Sequence, residues 1–154
     1  MTAAVIGHRR VTEEVASRIK CATEQLVQRG VDVFLFGSRS AFGDMVLDEV
    51  TRLKSVCGNL RRVYVRAEYP EISAQYKSYL LRHYDDTFMP SGVFGRAAYV
   101  QRNFYMIDNA DVCLFYCDCS VKDCSGGKSG ARIAYEYAVK RHKEIVNLWH
   151  SRQR

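Results

Sequence analysis

The sequence predicts an α/β fold, a single domain on a mostly parallel sheet with helices on both faces. Three observations predict it. Short apolar runs rich in β-branched and aromatic residues alternate with longer stretches of helical periodicity along the chain. Only two prolines interrupt 154 residues, so the helical stretches run almost unbroken. Hydrophobic residues make up 47% of the chain, which suits one buried sheet, and the length leaves no room for a second core.

Residues 3–7 read as the first strand, expected at the centre of the sheet, and residues 12–29 as a helix capped by Thr12 and closed by Gly30. Residues 32–36 form a second strand, 37–43 a loop, and 44–57 a helix with Val46, Leu47, Val50 and Leu53 on one face. A third strand covers 62–65. From 68 to 90, Ile72, Tyr76 and Leu80 suggest a helical stretch, whereas Tyr84-Asp85-Asp86-Thr87 and Met89-Pro90 read as an irregular excursion. The pattern then gives a helix over 99–109, a buried strand over 112–116, a helix over 131–141 and a last strand over 145–148.

The most informative stretch is Ser125-Gly126-Gly127-Lys128-Ser129-Gly130, between a strand and a helix. Glycines let backbone N–H groups approach an anion, and the following helix adds its positive dipole end, so the loop reads as a phosphate cradle. It is not a P-loop, which needs a Gly where Lys122 stands, and its glycine spacing is not the dinucleotide fingerprint. The alternative is an ordinary strand-to-helix turn with Ser or Gly at the cap.

The formal charge of +6 is the excess of 23 basic over 17 acidic residues, the basic ones scattered along the chain, with a basic tail over 151–154 after a domain of residues 1–150. That scatter speaks against nucleic acid as the partner and for a small anionic ligand. No signal segment or membrane-length apolar run is legible, so a cytoplasmic protein with reduced thiols is expected. Cys113, Cys117, Cys119 and Cys124 lack any C-x2-C pair; no metal is expected there, although the cluster leaves the question open, and the pattern calls for no cofactor.

Ligands of such sheets sit beyond the carboxyl ends of the strands, where Gly7-His8-Arg9, Gly37-Ser38-Arg39 and the Gly126-Gly127 loop would converge. These segments carry a resemblance. Val5-Ile6-Gly7-His8-Arg9, Phe36-Gly37 with Gly43-Asp44, Arg102-Asn103-x-x-Met106 before Ala110-Asp111, and Ser125-Gly126-Gly127 before a helix resemble the SLOG superfamily. Tyr84-Asp85-Asp86-Thr87, Met89-Pro90 and Asn147-Leu148 resemble its small YpsA-like branch. The resemblance implies a Rossmann-like fold that binds nucleotides or their derivatives, as a homo-oligomer. It also implies three functional classes on one scaffold: phosphoribohydrolases of the "lonely guy" type, DNA-processing proteins that hold single strands, and immune receptors for signals derived from ADP-ribose.

The hydrolases carry an Arg, which Arg102 resembles, and a Pro-Gly-Gly-x-Gly-Thr-x-x-Glu loop. Here Ser125 replaces the Pro, and Ile133 or Ala134 falls where the Glu belongs. The available carboxylate, Glu136, lies two or three residues on, a rotation of roughly 200 or 300° around a helix. Binding without turnover, as sensor or sequestering protein, is therefore the main expectation; if an enzyme, Arg102 and Glu136 are its candidate catalytic residues. Candidate ligand residues are Gly7, His8, Arg9, Gly37, Ser38, Asp44, Arg102, Asn103, Ser125, Gly126, Gly127, Lys128 and Ser129. Arg9 offers a fork for phosphate or, alternatively, pairs with Asp44 or Asp111. Asp44 caps its helix or reaches a ribose hydroxyl, and Tyr84 or Tyr116 could stack on a base.

Overall fold

The computed structural model describes residues 1–11, 14–93, 95–123 and 125–150. Six strands, β1 (Thr2–Gly7), β2 (Val33–Phe36), β3 (Arg61–Val65), β4 (Asp86–Phe88), β5 (Val112–Tyr116) and β6 (Glu144–Asn147), form one sheet in the order β4-β3-β2-β1-β5-β6. Every pairing is parallel. The helices are α1 (Ala16–Gln28), α2 (Ala41–Lys54), α3 (Ala74–His83), α4 (Ala98–Asp108) and α5 (Gly130–Lys140).

Alternation along the central strand splits the core in two. Ala3 and Val5 pack with Ile19 and Leu26 of α1 and Phe42, Val46 and Val50 of α2. Ala4 and Ile6 face the other way, onto Met106 and Ile107 of α4 and Ala131, Ala134 and Ala138 of α5. A strand buried on both faces must be apolar throughout, which is why β5 reads Val-Cys-Leu-Phe-Tyr with all five residues buried. The chain runs outward from β1 to β4, then returns across the sheet to β5, which places the reversal of strand order between β1 and β5.

Element boundaries depart from the sequence expectations where polar contacts decide them. α2 begins at Ala41, three residues early, because Ser40 caps it by accepting from the Gly43 amide at 2.9 Å. Asp44 is therefore not the cap but a first-turn carboxylate, favoured there by the helix dipole. Thr12, the expected cap of α1, lies outside the described residues; the position before Ala16 is Val15, which makes no side-chain cap bond. The Tyr84-Asp85-Asp86-Thr87 excursion contains a strand, β4. Burial alone would raise the Asp85 carboxyl pKa, but bonds from the Arg62 side chain and amide and from Lys54 pull it below the usual range. Ion pairs at Asp85 thus fasten the entry to this edge strand, alongside Phe88 packed on Tyr105, and its charged sequence reads as irregular for that reason.

Candidate functional site

The carboxyl ends of β1, β2, β3 and β5 open into a cleft of about 1160 Å³, closed at its sides by the starts of α4 and α5. Of the residues expected at a site, Gly7, His8, Arg9, Gly37, Ser38, Arg102, Asn103 and Ser129 line it. The two glycines serve close packing. A Cβ on Gly7 would lie 2.4 Å from the Phe42 ring, and one on Gly37 2.6 Å from the Arg102 side chain.

Arg102 forms the floor. It is 4% exposed, donates through Nη1 to the Gly37 carbonyl and through Nε to Asn103 Oδ1 at 3.0 Å, and lies 5.5 Å from the centre of the Tyr99 ring. Among the described residues no carboxylate pairs with it. Desolvation pushes its pKa down, opposed by Tyr64, Tyr99 and Glu68. A guanidinium so placed remains charged and has no ion-pair partner among the described residues, so an anion entering the cleft meets an electrostatic demand already in place.

His8 closes the switch point. Its Nε2 meets both the Asp118 amide at 2.8 Å and the Asp118 carbonyl at 3.2 Å, accepting from the first in one tautomer and donating to the second in the other, and burial pushes its pKa below 6.5. Nδ1 has no partner among the described residues, and His8 lines the cleft. Beside it, Asn147 takes the amide and carbonyl of Cys117 with its side chain, each at 3.0 Å, extending the β5–β6 pairing beyond the strand end.

The Gly loop is arranged differently from the cradle expected. Asp123 Oδ1 accepts from the amides of Ser125 at 2.9 Å and Gly127 at 2.8 Å and from the Ser125 hydroxyl at 2.7 Å, while the Gly126 amide donates to the Asp123 carbonyl at 3.0 Å. The loop's own carboxylate thus occupies the place of the ligand anion. Ser125, Gly126, Gly127 and Lys128 do not line the cleft. Lys128 is paired with Glu136 at 2.7 Å, as is Arg132 at 3.1 Å, and Glu136 does not line the cleft either. Ser129 caps α5 by accepting from the Arg132 amide at 3.1 Å. The start of α5 at Gly130 and Ala131 does reach the cleft, so this connection offers there a helix terminus together with Asp118, Val121, Lys122 and Asp123.

Asp44 lies outside the cleft lining, 3.4 Å from Arg39; Asp111 accepts from the Thr2 amide at 2.8 Å, so neither expected partner meets Arg9. Tyr84 is core, packed at 5.0 Å from Tyr64 and 5.8 Å from Phe36, whereas Tyr116 lines the cleft and stacks on Phe42 at 5.7 Å. Burial pushes the Cys113 and Cys117 thiols up to about 11 and about 12, so in the metal-free protein both are protonated, poorly reactive core side chains. No metal-binding cluster forms among the described residues, and Cys124 lies outside them.

The sequence reading missed the segment after β3. Tyr64, Arg66, Glu68, Tyr69 and Tyr76 all line the cleft, with Tyr69 66% exposed. Arg66 donates to the carbonyls of Tyr69 and Pro70, both at 3.3 Å, and its buried Nε has no partner among the described residues. The signal was available: the strand-end rule applied to β1 and β2 points equally to the residues after Val65.

No protein-family model matches the chain, and no curated protein matches it. Among solved structures it is similar to a DNA processing protein A from Helicobacter pylori, described for a unique single-stranded DNA binding mode. The TM-score is 0.62 at 14% identity over 94% of this chain. The fold is Rossmann-like. This chain spans 63% of that protein's length, under two thirds. The neighbour also corrects the expectation that nucleic acid is an unlikely partner, since a protein of this fold is described as binding single-stranded DNA. The physical reason lies in the cleft: Arg9, Arg10, Arg39, Arg66, Arg102 and Lys122, scattered in sequence, converge there through the topology. Among the described residues no helix is long and apolar enough to cross a membrane.

Proposed function

We propose that this protein binds single-stranded nucleic acid, seating a nucleotide in the cleft with its phosphate toward Arg102 and its base against the tyrosines of the rim. The observation that carries the reading is the buried guanidinium of Arg102, without a carboxylate partner among the described residues, at the floor of a cleft whose mouth displays Tyr69, Tyr76 and Tyr99. Cations that track a backbone and exposed aromatic rings that stack on bases are the two requirements of single-strand recognition. The structural neighbour's single-stranded DNA binding supports it, as does the motif resemblance, which includes DNA-processing proteins.

A free nucleotide or nucleotide-derived signal is the second reading, favoured by the depth of Arg102 at the switch point, where this class of sheet takes mononucleotides. Both readings require the same phosphate contact. Fluorescence anisotropy with a labelled mixed-sequence strand of roughly 20 nucleotides tests the first. Binding is expected to weaken steeply with salt and to fall about tenfold to a hundredfold in Arg102→Ala, at about 1.5–3 kcal/mol for a charged hydrogen bond. No binding of the strand to the wild type, with tight binding of a mononucleotide, would transfer the site to the second reading.

A further inference from the structure

Three acids line the cleft beside its cations, Glu68, Asp118 and Asp123; the two aspartates accept from their own loops, Asp118 from Ser120 and Asp123 from Ser125 and Gly127, whereas Glu68 does not. It lies between β3 and α3 with φ 77°, a left-handed conformation that costs a non-glycine residue energy, so its side chain is held there against local preference. One carboxylate oxygen accepts from the Tyr99 hydroxyl. The other has no partner among the described residues, and neither oxygen forms an ion pair there. The same Tyr99 ring carries the guanidinium of Arg102 at 5.5 Å, so one side chain connects the anion floor to this acid.

In a cleft that takes phosphate, a carboxylate repels every ligand unless the ligand offers it a donor. We infer that Glu68 selects the base. It accepts from the paired N–H groups of guanine, N1–H and the 2-amino group, and disfavours thymine and uracil, whose edges present carbonyl oxygens to it. Adenine and cytosine, with one amino group beside a ring acceptor, rank between. The bond to Tyr99 fixes the acceptor before the ligand arrives, so little ordering is left for binding to impose. This inference rests on the proposed binding of a nucleotide in the cleft.

The test compares labelled strands of roughly five nucleotides, all thymidine or thymidine with one guanine, on the full chain. Wild type is expected to bind the guanine strand about tenfold more tightly or better. Glu68→Gln should bring the two strands to within about threefold while the all-thymidine strand holds or tightens, because a repelling charge has gone. Glu68→Ala, which also breaks the bond to Tyr99, should lose the preference too. Equal affinity of wild type for the two strands, or an equal loss for both in Glu68→Gln, overturns the inference and leaves the cleft reading standing. Failure of wild type to bind either strand or any mononucleotide removes both.

Discussion

Two loops at the carboxyl side of the sheet differ in what they do with their polar groups. The loop before α5 is rich in glycine and turned inward: Asp123 takes its amides and hydroxyl, and Glu136 takes its lysine. The loop after β3 has no glycine and is turned outward. It presents Arg66, Glu68 and Tyr69 to the cleft, with Glu68 in a left-handed conformation. Glycines announce a backbone that must turn, and here the turn is satisfied by the chain itself. Side chains at strand ends, which leave little trace in sequence, furnish the cleft.

Substitutions at the glycines sharpen this contrast. Gly37→Ala should have the largest effect of the three changes that follow, since its Cβ would lie 2.6 Å from Arg102 and 2.7 Å from the Met106 sulfur. Overpacking of that kind costs about 1–3 kcal/mol, to be read from urea unfolding, and the displaced guanidinium should weaken strand binding in parallel. A stable Gly37→Ala protein with native binding would mean that the Arg102 position is not fixed by this contact.

Acidification probes the β1–β5 junction. His8 has a folded pKa below its ordinary 6.5, so the unfolded chain binds more protons between the two values and stability rises with pH across that window. The contribution is complete above pH 6.5 and is lost as pH falls from there through the folded pKa, where the half-buried ring must take up a charge that burial disfavours. Thermal melts at pH 7 and pH 5 should show a smaller drop for His8→Gln than for wild type; an equal drop would place the acid sensitivity elsewhere.

Gly127→Ala should matter least. Its Cβ would be 3.5 Å from the Asp123 carboxylate, ordinary contact, and its backbone does not need the left-handed region that Gly126 occupies at φ 85°. Stability within about 0.5 kcal/mol and binding within about twofold are expected. A large loss of binding in a folded Gly127→Ala protein would restore the cradle.

The sheet was legible because strands buried on both faces must be apolar; β5 and the central β1 followed from that alone. β4 was not, because its three residues begin with Asp86 and its anchoring passes through the charges of Asp85, Arg62 and Lys54, whose pairing requires folded neighbours. His8 and Arg102 could be singled out because each sits beside a recognisable turn or motif. Arg66 and Tyr69 carry no local pattern, and only the parallel strand order brings them beside Arg102. The carboxylate of Asp123 escaped notice for a related reason: a phosphate cradle and an Asp-bound turn share the same glycines.

Hydrogen exchange of the full chain with and without a mixed-sequence single strand tests the central claim most directly. Binding in the cleft predicts slowed exchange over residues 64–76 and 99–103, with little change over 125–128, where the amides of Ser125, Gly126 and Gly127 are already bonded to Asp123. Protection confined to residues 125–128, with 64–76 unaffected, would contradict the account and return the ligand to the glycine loop.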